Sequence, residues 1–165
     1  MFGKMALGLL VMLWLAPPVA AREPSEPAAL DGGLSRIEDF GADLRIELAL
    51  SRPVPWRLYM LDAPRRLVLA FDGLTLEEAE LSAIVESDGV AGIGVEPGAQ
   101  TGWQHLVVTL SLPLRIETAG LTDAGEGAVL KLQLAPTSAA EFSRLAAPAP
   151  TGPRPTRRIV TDIAP

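Results

Sequence analysis

The sequence predicts an all-β fold: a β-sandwich of two similar short-stranded sheets with one short connecting helix. Three observations carry this reading. Apolar residues recur at period two in several stretches, turn residues separate those stretches, and the order of stretches repeats once along the chain. Period two places alternate side chains on opposite faces of a strand, so each such stretch offers one apolar face for burial. Many short strands with one apolar face each are accommodated by two packed antiparallel sheets.

Leu44, Ile46, Leu48 and Leu50 share one face of an extended segment, with Arg45, Glu47 and Ala49 on the other. Leu67, Leu69 and Phe71 repeat the pattern, as do Leu106, Val108, Leu110 and Leu112 against Val107, Thr109 and Ser111. Leu130, Leu132 and Leu134 alternate with Lys131 and Gln133. Shorter strands are expected at Leu34–Phe40, Trp56–Leu61, Val90–Val95 and Leu114–Thr118. Pro53, Ala63-Pro64, Pro97-Gly98, Pro113 and Gly125-Glu126-Gly127 supply the turns between them. One segment has helical spacing instead. Thr75-Leu-Glu-Glu78 has the form of a capping box, and Leu81, Ile84 and Val85 follow, which predicts a helix from about Thr75 to Glu86.

The strand at Leu44 is followed by a proline, a second strand, a turn and the strand at Leu67. The strand at Leu106 is followed in the same way by Pro113, a strand, a turn and the strand at Leu130. The offset is 62 residues for the first pair and 63 for the last. Two similar halves could bury their apolar faces against each other, with the helix carrying the chain between them.

Outside this block the composition changes. Lys4, the eleven apolar residues Met5–Leu15, the break at Pro17-Pro18 and the small residues Val19-Ala20-Ala21 are expected to form a signal peptide over residues 1–21, cut after Ala21. The run is shorter than the roughly 20 apolar residues of a spanning helix, so no stable membrane insertion is expected after cleavage. Residues 22–33 read as a flexible leader and residues 137–165 begin as an Ala/Pro-rich linker, which leaves residues 34–136 as one domain. The chain has 165 residues, no cysteine and a net charge of −6. The fold must therefore hold by packing alone, and mild acidity argues against nucleic acid as a partner.

Few residues could carry chemistry. His105 is the single histidine, which leaves a nucleophilic triad without a base elsewhere and a zinc site short of ligands; no metal or other cofactor is expected. Its phase is opposite to Leu106 and Val108, so it is expected to face outward as an exposed histidine. Glu77, Glu78 and Glu80 read as a solvated helix face. The aromatics suggest recognition instead. Trp56 is in phase with Leu58 and Met60 and is expected in the core, Tyr59 shares the outward phase of Arg57, and Trp103 follows a turn that leaves its side open.

The run Pro53-Val-Pro-Trp-Arg-Leu-Tyr-Met-Leu-Asp-Ala-Pro64 with Arg66-Leu-Val-Leu69 resembles the first half of an AMIN domain. Trp103–Pro113 is similar to the start of its second half and Val129–Pro136 to its last strand. The family frequently has an Asp where Ala70 and Thr109 stand and an Arg where His105 stands. AMIN modules precede the catalytic domain of N-acetylmuramoyl-L-alanine amidases and also occur in type IV pilus secretins. The resemblance implies a fold of two symmetric sheets in residues 34–136, a periplasmic location, and a non-catalytic role in binding peptidoglycan, with division-site proteins as further partners. The outward candidates for wall contact are Arg57, Tyr59, Arg66, Trp103 and His105. Arg157-Arg158-Ile-Val160 and Asp162 resemble the first strand of the amidase catalytic domain, so the alternatives are the front part of such an amidase or a pilus-secretin-associated protein.

Overall fold

Alternation in a strand is stable only when a second apolar face meets the first, and the two halves of this chain meet by exchanging strands. The computed structural model describes residues 26–148. The first half contributes β1 (Ala28–Phe40), β2 (Asp43–Leu50), β3 (Trp56–Asp62) and β4 (Arg66–Asp72). The second contributes β7 (Val90–Pro97), β8 (Trp103–Leu110), β9 (Leu114–Ala124) and β10 (Gly127–Pro136). Between them lie β5 (Leu74–Thr75), the helix α1 (Glu78–Ala83) and β6 (Val85–Glu86); α2 (Ala139–Leu145) and β11 (Ala147–Pro148) follow.

The first sheet runs β5-β1-β2-β10-β9, with β6 added on β1, and the second runs β11-β3-β4-β8-β7. Each sheet thus takes two long strands from either half. The seams are antiparallel: Leu48 opposes Leu130 where β2 meets β10, and Leu69 opposes Leu106 where β4 meets β8. The in-facing residues of both sheets form one core that includes Leu44, Ile46, Leu48, Leu67, Leu69, Phe71, Leu106, Val108, Leu130 and Leu134, none of them more than 1% exposed. Burying a side chain of this size contributes about 1.5–3 kcal/mol, which lets a chain with no cysteine hold together. The expected all-β sandwich of two similar sheets is the observed architecture.

The ends of the elements differ from the sequence reading in instructive ways. Thr75 lies in β5 opposite Ala29, so it is not a cap; α1 starts later, with Glu77 at its N-cap and no side-chain cap hydrogen bond. The strand β1 begins at Ala28, inside the stretch expected to be a leader. Between Asp31 and Arg36 its pairing with β2 breaks, and Ser35 fills the gap: its hydroxyl donates to the Asp31 carbonyl at 2.6 Å and accepts from the Ala49 amide at 2.9 Å. A Glu80 carboxylate oxygen on α1 accepts from the Gly32 amide at 2.9 Å and holds the excursion in place.

A second helix stands where a linker was expected. Ser138 caps α2 by accepting from the Glu141 amide at 3.1 Å, and Phe142 is fully buried in the main core. The two helices close opposite sides of the sandwich: α1 packs on β1 and β7, and α2 on β3 and β9. The Asp62 carboxylate ties α2 to the β3–β4 turn, accepting from Ser143 Oγ at 2.5 Å and from the Ala63 amide at 2.9 Å. The expected signal peptide with its cut after Ala21, and most of the Ala/Pro-rich tail, lie outside the described residues.

Two predictions follow from the α2 contacts. Phe142→Ala should cost about 3–5 kcal/mol in urea denaturation, because it empties a fully buried site; an unchanged midpoint would return α2 to the status of a linker. The Ser143 hydroxyl and then the Ala63 amide hold the Asp62 carboxyl below its ordinary range. A depressed folded pKa adds stability above the unfolded value of about 3.9, and that stability is lost as pH falls through the folded value. Asp62→Ala should therefore lower the urea midpoint at neutral pH, and the difference should shrink as pH falls through the folded value.

Candidate functional site

Every second residue of β3, β4 and β8 points away from the core, and the registers of the second sheet align these residues in rows. Arg57 on β3 opposes Ala70 on β4, Ala70 opposes His105 on β8, and His105 opposes Glu96 on β7. Two residues along lies the row Tyr59, Val68, Val107 and Gly94, and beyond it Leu61, Arg66, Thr109 and Gly92. Trp103 opposes Asp72 at the other end. All five residues proposed for wall contact (Arg57, Tyr59, Arg66, Trp103 and His105) therefore share the outer face of the second sheet. Neither composition nor the phase of single strands could bring them together; the β4–β8 seam does.

The interactions on this face are specific. The Arg57 guanidinium sits over the Trp103 ring, 4.5 Å from its centroid. Trp103 is fixed by the tight β7–β8 turn, where the Gly98 amide donates to the Trp103 carbonyl at 2.8 Å and a Cβ at Gly98 would fall 2.5 Å from the Trp103 Cβ. Gly102, at φ +87°, brings the chain back into β8. The Tyr59 and His105 rings meet edge to face, with centroids 6.3 Å apart and planes at 86°.

His105 corrects the sequence reading. Its phase is outward as expected, yet it is only 8% exposed. It stands on an inner strand, its β4 neighbour Ala70 carries only a methyl group, and the Tyr59 ring lies across the open space. Phase decides which way a side chain points, whereas neighbours decide whether water reaches it. Trp56 packs against the main core, as expected from its phase.

Tyr59 also packs on a second, smaller apolar cluster of Leu61, Val68 and Val107, all outside the main core. Sequence reasoning missed this cluster. Val68 and Val107 sit between core leucines, and a strand apolar on both faces was the available signal. Arg66 borders the cluster half-buried, and its Nε is buried with no acceptor among the described residues.

The outer face of the first sheet offers a contrast. There Arg36 and Lys131 pair with Glu47 at 3.8 and 3.4 Å, Arg45 with Glu38 at 3.9 Å, and Arg115 with Glu117. Arg45 also covers the exposed Phe40 ring, 3.9 Å from its centroid. A broad open depression of about 790 Å³ lies at the β1 excursion, but the Asp31 and Glu80 carboxylates that line it already accept from backbone amides. Among the described residues, no three His, Cys, Asp or Glu side chains gather as metal ligands.

Tyr59→Ala should destabilise the domain by about 1–3 kcal/mol, since the ring shields His105 and the Val68–Val107 cluster. Arg57→Gln should cost no more than about 1 kcal/mol, the worth of an exposed cation–π contact. Thermal melts of the two variants check the order; the reverse order would put the structural load on the wrong residue.

No protein-family model matches the chain, and no curated protein shows significant similarity to it.

Proposed function

We propose that the chain is a non-catalytic peptidoglycan-binding module of the AMIN type, working in the periplasm to place a wall enzyme or its partners. The single observation that carries this reading is the gathering of Arg57, Tyr59, Arg66, Trp103 and His105 on one sheet face. Residues chosen for their motif resemblance and outward phase lie on one surface, around an apolar floor.

The chemistry of that surface suits a solid, anionic, amphipathic polymer. Guanidinium groups pair with carboxylates, and exposed aromatic edges can lie against the polymer. The chain itself is acidic, so net charge does not attract an acidic wall, and local pairs must supply the contact. Exposed pairs are worth about 0–1 kcal/mol each, so the affinity is modest and falls with salt.

Co-sedimentation of the purified chain with sacculi tests the reading. The chain should pellet at low salt and be released at high salt. The double variant Arg57→Gln, Arg66→Gln should bind about tenfold more weakly, while Arg45→Gln on the opposite sheet leaves binding unchanged. A chain that stays in the supernatant with sacculi at every salt concentration would sink the proposal.

A further inference from the structure

The two halves of the sandwich are joined by one short crossing. After β4 the chain stays with the first half: β5 and β6 both pair in parallel with β1, and the Ile37 amide donates to the Ile84 carbonyl at 2.9 Å. The Glu80 carboxylate on α1 accepts from the Gly32 amide of β1. Because β6 belongs to the first sheet and β7 to the second, the chain passes from sheet to sheet within Ser87-Asp88-Gly89. Packed sheets lie roughly 10 Å apart, and the four backbone steps from Glu86 to Val90 reach at most about 14 Å, so the crossing has little slack.

This crossing is folded into a turn and held from the first half. The Val90 amide donates to the Ser87 carbonyl at 3.4 Å, and the Gly89 amide to Ser87 Oγ at 3.0 Å. Asp39, near the end of β1, clasps the turn: one carboxylate oxygen accepts from Ser87 Oγ and the other from the Asp88 amide at 2.9 Å. Contacts elsewhere between the halves are of another kind. The β2–β10 and β4–β8 seams, the packing of α1 on β7, the Gly73 amide on the Gly102 carbonyl at 2.9 Å and the Leu76 amide on Gln104 Oε1 at 2.8 Å are indifferent to which copy of the chain supplies the second half.

We propose that the chain has a second closed state, an exchanged dimer in which each sandwich is built from the first half of one copy and the second half of another, with Ser87–Gly89 as the hinge and Asp39 as the latch that keeps both halves of one copy together. The partner is a second copy of this chain, and the interface is the pair of seams; what the outer faces bind plays no part. Tethered halves meet at an effective concentration on the order of millimolar, so the monomer prevails in dilute solution while the turn is intact. Shortening the crossing below the gap between the sheets removes that option and leaves exchange as the way to close both cores.

The experiment uses the full chain carrying Glu47→Cys and Lys131→Cys. These residues oppose each other across the β2–β10 seam, and the chain has no cysteine of its own, so oxidation reports which copy supplies β10. With the turn intact, dilute protein should be monomeric, its disulfide inside one chain. Deleting Ser87 and Asp88 leaves a reach of about 7 Å and should raise the dimer fraction by about tenfold or more in light scattering, with disulfides joining two chains on a non-reducing gel. Asp39→Ala, incubated at about millimolar concentration before oxidation, should give about threefold more disulfide-joined dimer than the intact latch. A shortened chain that folds as a monomer, or as a dimer whose disulfides stay within each chain, overturns the exchange. If the shortened chain does not fold, the Asp39→Ala comparison decides, and a yield of joined dimer no higher than with Asp39 in place overturns the proposal. If the shortened chain exchanges and Asp39→Ala raises no yield, the hinge stands and the latch is overturned.

Discussion

Two antiparallel seams hold this protein together, β2 against β10 and β4 against β8. Neither half could close a core alone, because the partner of each central strand belongs to the other half. Leu48 meets Leu130 and Leu69 meets Leu106 only after the whole intervening chain has been laid down. Such pairings close long loops before any apolar contact rewards them, which favours slow and cooperative folding. The helices then close the open sides of the sandwich, α1 between β1 and β7 and α2 between β3 and β9, each with one fully buried residue, Leu81 and Phe142.

The seams also decide the surface. They carry Ala70 alongside His105 and leave Arg57, Trp103 and Tyr59 around that pair. The corresponding positions of the first sheet are charged and mutually neutralised through Glu38 and Glu47. An approximate symmetry of the backbone is thus broken by side chains: one outer face is tied by ion pairs, and on the other Arg57 and Arg66 form none among the described residues.

Much of this was legible in the sequence, and the exceptions have physical causes. Period two located the long strands because a half-buried strand has no other way to separate its leucines from its charges. The repeat at Leu44 and Leu106 foretold two similar halves, but not that they would trade strands, since alternation says nothing about which strand is the neighbour. The box at Thr75 was misleading because a two-residue pairing with β1 outcompeted a cap, while Ser138 to Glu141, the motif that does cap a helix, stood in a stretch whose alanines and prolines read as linker. His105 was legible in direction and illegible in burial, because the lid over it comes from Tyr59, 46 positions earlier in the chain.

The exchange of strands has a further meaning. The orders β1-β2-β10-β9 and β7-β8-β4-β3 become equivalent when one half is relabelled as the other. Two separate copies of a half-length chain could therefore build the same sandwich as an intertwined homodimer. On that view the segment from Leu74 to Glu86, with α1 at its centre, is a tether that turned a concentration-dependent association into an intramolecular one. The exchange fixes the backbone pairing and leaves the outer faces independent, so one can be neutralised by ion pairs while the other is not.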